Sequence, residues 1–263
     1  VRLYTPWSHI RAYDLLHERA PDRLLLGLME RHSARRADAV TSPSAALARL
    51  MEHQWRLRNV TVFPNPINSH EYARARGTNW MYVGRVERRK GVHVLIEAYA
   101  RLCRRGSPPR LLLLGRPYGA FADGRSYGEH IQTLIERHDM GGRIGWVKGV
   151  EHAAVADYLK HAAVAIFPSI WENFPYACLE AMASGLAVVA SRCGGYPEMI
   201  DDGVTGRLFT PEDGTALTDI LEELAADSRA VGALGKAARD SVRTRFDTAV
   251  VCHRAEAHYA GLR

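Results

Sequence analysis

Cysteine is scarce. The four thiols, Cys103, Cys178, Cys193 and Cys252, are scattered through 263 residues with no Cys-x-x-Cys pair and no histidine at zinc spacing. This argues against a disulfide framework or a zinc module and fits a reduced, cytoplasmic chain. No apolar run is long enough to span a bilayer. No Gly-x-Ser-x-Gly elbow occurs, and no His, Asp and Glu stand at metal spacing, so neither a serine hydrolase nor a metal centre is expected. The twelve histidines are dispersed. The chain opens on Val1 with no signal peptide, and is expected to begin part-way through a longer protein.

What is present describes a globular chain with a real core: 47% hydrophobic and 24% charged residues. The formal charge of +6, carried mainly by arginine, suits anionic partners. Nucleic acid is not among those expected, because no basic surface is interleaved with aromatic residues.

From Trp80 onward, short apolar runs alternate with helical patterns, which predicts a parallel α/β sheet. Strands are expected at 80–83, 110–114, 144–147, 164–167, 187–190 and 207–209. Helices are expected between them at 92–105, 129–138, 155–161, 176–184 and 196–200. Residues 77–246 then make one complete doubly wound domain, closed by helices at 215–227 and 229–245. Residues 1–76, with helices at 22–36 and 44–55 and strands at 37–42 and 60–63, suffice only for the end of another α/β domain. Residues 247–263 add a last helix from Thr248. Right-handed crossovers put the carboxyl ends of the strands on one edge, so binding residues are expected in the loops there.

Three loops on that edge hold suitable groups. In Gly84-Arg85-Val-Glu-Arg-Arg-Lys90-Gly91, Gly84 permits close backbone approach, while Arg85 and Lys90 offer a fork and a point charge for a diphosphate. A solvated basic turn is the competing reading. In Ser169-Ile-Trp-Glu-Asn-Phe-Pro-Tyr-Ala-Cys-Leu-Glu180, the carboxylates of Glu172 and Glu180 could accept hydrogen bonds from sugar and ribose hydroxyls. Pro175 fits the first turn of the following helix. In Ser191-Arg-Cys-Gly194-Gly195-Tyr-Pro-Glu198, the glycines can present amides at a helix start, and Glu198 suits a first-turn acid.

The ordered set Gly84-Arg85…Lys90-Gly91, Leu111-Leu-Leu-Leu-Gly115, Trp146-Val-Lys-Gly149-Val150, Phe167-Pro-Ser169, Glu172-x7-Glu180-Ala-Met-Ala-Ser-Gly185 and Gly203-Val-Thr-Gly206 resembles the retaining glycosyltransferases of family 4. The resemblance implies the GT-B fold, two Rossmann-like domains facing across a cleft. The donor-binding domain would be complete here and the amino-terminal, acceptor-side domain only partly present. It implies a nucleotide-diphosphate sugar as donor, transfer with retention, and neither metal nor other cofactor. Arg85 and Lys90 match the diphosphate pair, Glu172 the acid at the transferred sugar and Glu180 the acid at the ribose. Glu172, Arg85 and Lys90 are thus the catalytic set. Gly84, Gly149, Val150, Asn173 and Phe174 complete the donor-binding set, with the Gly149-Val150 backbone reading the base. Two departures stand out. Pro175 replaces a glycine with a free amide, and Tyr4 stands where many relatives have a histidine. A glycan, a lipid-linked sugar or a small molecule could be the acceptor. Arg31, Arg35 and Arg36 suit peripheral contact with the inner face of a membrane. A nucleotide-sugar-binding module without turnover and a GT-B epimerase are the alternatives.

Overall fold

The computed structural model describes residues 1–6, 21–121 and 123–262. Six parallel strands form the main sheet: β3 (Asn79–Val83), β4 (Leu111–Leu114), β5 (Ile144–Val147), β6 (Ala162–Phe167), β7 (Ala187–Ser191) and β8 (Arg207–Phe209), in the spatial order β5-β4-β3-β6-β7-β8. The strands are short and mostly apolar, as suits a buried parallel ladder, with the edge strand β5 only partly covered. Alternate side chains go to opposite faces. Trp80, Tyr82, Leu111, Leu113, Val164 and Ile166 meet one layer of helices. Met81, Val83, Ala165, Phe167 and Val188 meet the other.

On the first face lie α3 (Val92–Arg105), α4 (Tyr127–Arg137) and α8 (Gly214–Ala226). On the second lie α6 (Tyr176–Ala183), the short α7 (Tyr196–Met199) and α9 (Ser228–Arg245). The helix predicted to begin at residue 129 begins at Tyr127, because Ser126 and Glu129 form a reciprocal capping box. The next helix, α5 (His152–Leu159), starts before the predicted residue 155. The long loop before α4 is tied down, with the Tyr118 amide donating to the Val86 carbonyl at 2.9 Å and Phe121 to Arg125 at 2.8 Å.

The strand order reverses between β3 and β6. Connections from these two strands lead to helices on opposite faces at that switch point, where open α/β sheets bind ligands.

The earlier part of the chain holds α1 (Pro21–Arg36), β1 (Thr41–Ser42), α2 (Ala45–Trp55) and β2 (Thr61–Val62) around Leu47, Met51 and Trp55. Both strands are shorter than expected. Pairing is confined to Thr41↔Thr61 and Ser42↔Val62, with Arg2 bridged to Thr41. Tyr4 is 73% exposed. The last helix, α10 (Thr248–Ala260), returns to this part of the molecule, where His258 lies 5.3 Å from the Phe63 ring. The chain crosses over at Asp247, which accepts from the Ser69 hydroxyl at 2.6 Å. Among the described residues no helix is long and apolar enough to cross a membrane.

Candidate functional site

The loops after β3 and β6 are knitted together before any side chain is considered. Gly91 has φ +66°, and a Cβ there would fall 1.9 Å from the Pro168 carbonyl oxygen. Its lack of a side chain is what lets the loops touch. The Ile170 amide then donates to the Arg89 carbonyl at 2.8 Å. A similar approach on the other side brings Gly115 against Gly84, where a Cβ would meet the Gly84 carbonyl oxygen at 1.8 Å.

Within this junction Lys90 and Glu172 are in direct contact, Nζ donating to Oε2. Arg89 donates to the same carboxylate oxygen at 3.3 Å and to Glu87 at 2.7 Å. The second Glu172 oxygen accepts from the Asn173 amide at 3.3 Å. Burial acts to raise the Glu172 carboxyl, but the charges of Lys90 and Arg89 outweigh it and hold the group below its ordinary value. Glu172 is therefore a fixed carboxylate, unsuited to act as a general acid.

Arg85 lies at the rim of this cluster. Its side chain is 53% exposed, 3.3 Å from Glu87. Its guanidinium sits 4.7 Å from the centre of the Tyr118 ring. A cleft of about 370 Å³ opens beside it, lined by Gly84, Arg85, Arg116, Tyr118, Val150 and His152. Gly149, with φ +87°, turns the chain toward this cleft just before Val150.

Glu180 comes in from α6. It is buried, with the His152 imidazole 3.6 Å away, a contact that is ionic only when the ring is protonated. Burial pushes its carboxyl upward, and His152 and the Tyr72 hydroxyl oppose this without overcoming it. The Tyr72 phenol is itself driven up to about 12 by burial and by Glu180. The two glutamates therefore sit in opposite electrostatic settings.

Asn173 and Phe174 face elsewhere. Asn173 Oδ1 accepts from the Ser44 hydroxyl at 2.6 Å. The Phe174 ring is buried 5.5 Å from Phe246, so only its backbone is available to the site, and its carbonyl accepts from Asn65 at 2.8 Å. Pro175 takes the N-cap position of α6 rather than its first turn.

Two readings of the third loop change. The Gly195 amide donates to the Glu172 carbonyl at 3.1 Å, so it is not free for a ligand. Glu198, expected to serve its own helix, accepts from the amides of Ala45 and Ala46 at 2.7 and 2.8 Å. It caps α2 across the seam between the two parts of the chain. Arg89 and Glu87 had no assigned role in the sequence, since a basic-acidic turn before a helix is ordinarily solvated. Among the described residues no three His, Cys, Asp or Glu side chains gather to hold a metal ion.

The family description "Glycosyl transferases group 1" matches residues 76–241. Among similar proteins, the D-inositol 3-phosphate glycosyltransferase of Corynebacterium diphtheriae is 32% identical over 180 residues, covering 68% of this chain and 41% of that protein. The glycogen synthase of Mycobacterium tuberculosis is 29% identical over 200 residues, covering 73% of this chain and 46% of that one. The chain thus spans less than half the length of these two relatives. Sucrose-phosphate synthase from Thermosynechococcus elongatus superposes with a TM-score of 0.83 at 25% identity, covering 99% of this chain and 67% of that one. Anabaena HepE, solved in complex with UDP, superposes with a TM-score of 0.77 at 21% identity, covering 95% of this chain and 71% of that one. These superpositions identify the architecture as GT-B, and with the match over residues 76–241 they establish that the chain belongs to the glycosyl transferases group 1 family.

Proposed function

We propose that the protein to which this chain belongs transfers a sugar from a nucleoside-diphosphate sugar to an acceptor hydroxyl, with retention at the anomeric carbon and without a metal. The observation that carries this is the meeting of Lys90 and Glu172 at the sheet's switch point, with Arg85 at the adjoining cleft. Lys90 and Arg85 would hold the diphosphate. Glu172 would accept from hydroxyls of the transferred sugar, and Glu180 from those of the ribose. Val150, on the wall of the cleft, would border the base.

In this reading the bond from the anomeric carbon to the phosphate oxygen breaks as the acceptor oxygen attacks from the same face. The leaving phosphate takes the acceptor's proton. The two cations stabilise the charge that develops on the diphosphate, and the protein contributes orientation and electrostatics.

In this reading the reaction would take place in the cytoplasm, with a glycan, a lipid-linked sugar or a small molecule as acceptor. Peripheral membrane contact would use α1, where exposed Leu25, Leu28 and Met29 share a helix with Arg35 and Arg36. The arginines make this contact salt-sensitive, so absence of co-sedimentation with anionic liposomes at low salt would count against it. For the reaction itself the test is product release. Free nucleoside diphosphate should form from the sugar nucleotide only when an acceptor is added. Equal release with and without acceptor would count against transfer.

A further inference from the structure

Arg89 sits in the run Arg88-Arg89-Lys90, where solvent exposure is the ordinary outcome. Instead its side chain is 7% exposed. Nη2 donates to Glu87 at 2.7 Å, while Nη1 donates to the Trp171 carbonyl at 3.0 Å and to Glu172 at 3.3 Å. Glu87 is buried as well. A planar fork spanning two buried carboxylates and a carbonyl is a geometry that lysine cannot reproduce.

The charges explain why such a fork would be needed. Glu87, Glu172, Arg89 and Lys90 make two negative and two positive groups packed together, with a third cation, the half-exposed Arg85, reaching Glu87 from the rim and itself assigned to the diphosphate. On the nucleotide-sugar reading above, Lys90 must turn from Glu172 toward the diphosphate. That leaves two carboxylates with a single buried cation. A buried carboxylate stripped of its partner is strongly disfavoured as an anion.

We infer that Arg89 is a positioning residue: anchored on Glu87, its guanidinium holds the Glu172 carboxylate in place and balances its charge while Lys90 serves the donor's phosphates. Without it, Glu172 and the diphosphate would compete for one ammonium. The other titratable groups around Glu172 cannot take over. Tyr82 on β3, Cys178 on α6, Cys193 on the loop after β7 and Tyr196 at the start of α7 are all driven upward by burial and stay neutral.

The test uses the complete protein, labelled with carbon-13 at the glutamate carboxyls, with the Glu172 resonance assigned from Glu172→Gln. Its titration midpoint is followed in the parent, Arg89→Gln, Arg89→Lys and Glu87→Gln, alongside calorimetric titration with UDP, GDP and ADP. Arg89→Gln should raise the midpoint by about one unit and weaken diphosphate binding about tenfold. Arg89→Lys should restore the midpoint but only part of the affinity. Glu87→Gln removes a like charge but also the anchor of the fork, so its midpoint should not fall below the parent's. An unchanged midpoint in folded Arg89→Gln overturns the inference. If that variant does not fold, a lowered midpoint in Glu87→Gln, the effect of the like charge alone, overturns it instead. Should the parent bind none of the three diphosphates, the nucleotide-sugar reading fails, while the midpoints still decide the role of Arg89.

Discussion

The Lys90 ammonium donates a hydrogen bond to the carboxylate of Glu172, so the group expected to bind phosphate is engaged by the group expected to bind sugar. A diphosphate must therefore take Lys90 away from Glu172. This predicts an asymmetry between two variants. Glu172→Gln should bind nucleoside diphosphate as tightly as the parent or more so, because Lys90 is released, yet lose sugar transfer by about 100-fold. Lys90→Ala should lose binding itself. Calorimetry paired with single-turnover kinetics separates the two effects, and a parallel loss of binding in both variants would remove Glu172 from its proposed place.

Glu180 has the opposite setting. Its carboxyl is raised in the folded protein, chiefly by burial. The associated stability is therefore present at pH below the ordinary carboxylate value and lost as pH rises through the folded value. Ionisation of the group therefore weakens the fold. Glu180→Gln should raise Tm at pH 7 by about 2–4 °C, the shift that ~1 kcal/mol produces in a domain of this size. The same variant should bind nucleotide more weakly. A lower Tm would mean that the contacts to Tyr72 and His152 outweigh the burial.

Glu172 contributes in the other direction. Its folded value is depressed, so its ion pairs add stability that is complete above an unfolded value of about 4.3 and is lost as pH falls through the folded value. Lys90→Met should narrow the difference in stability between pH 7 and pH 3, as read from urea midpoints. An unchanged difference would show that Arg89 alone compensates Glu172.

Gly194, with φ +51°, packs against the backbone of Glu172, and a Cβ there would lie 1.6 Å from the Glu172 carbonyl oxygen. Backbone atoms cannot yield as a flexible side chain would. Gly194→Ala should destabilise the protein by about 3 kcal/mol and displace Glu172. Chemical denaturation measures the first effect and diphosphate binding the second.

Much of the donor-side architecture can be read in the amino acids themselves. Runs such as Leu111–Leu114 and residues 164–167, alternating with helical patterns, read as buried parallel strands, although the second begins two residues earlier, at Ala162. Gly84, Lys90, Glu172 and Glu180 stand out by their order along the chain. Other features could not be read. Arg89 is chemically indistinguishable from its neighbour Arg88 until the loops close around it. Glu198 looks like an acid for its own helix, and only the fold shows that it caps α2, 152 residues away from Ala46. Such partners are set by tertiary contact, which neither periodicity nor spacing encodes.

The most direct test of the proposed site is calorimetric titration of the complete protein with UDP, GDP and ADP, repeated on Arg85→Ala and Glu180→Ala. One diphosphate should bind the parent, and each variant should bind it at least about tenfold more weakly. Parent-like affinity in both variants would contradict the assignment of this cleft as the nucleotide-sugar site.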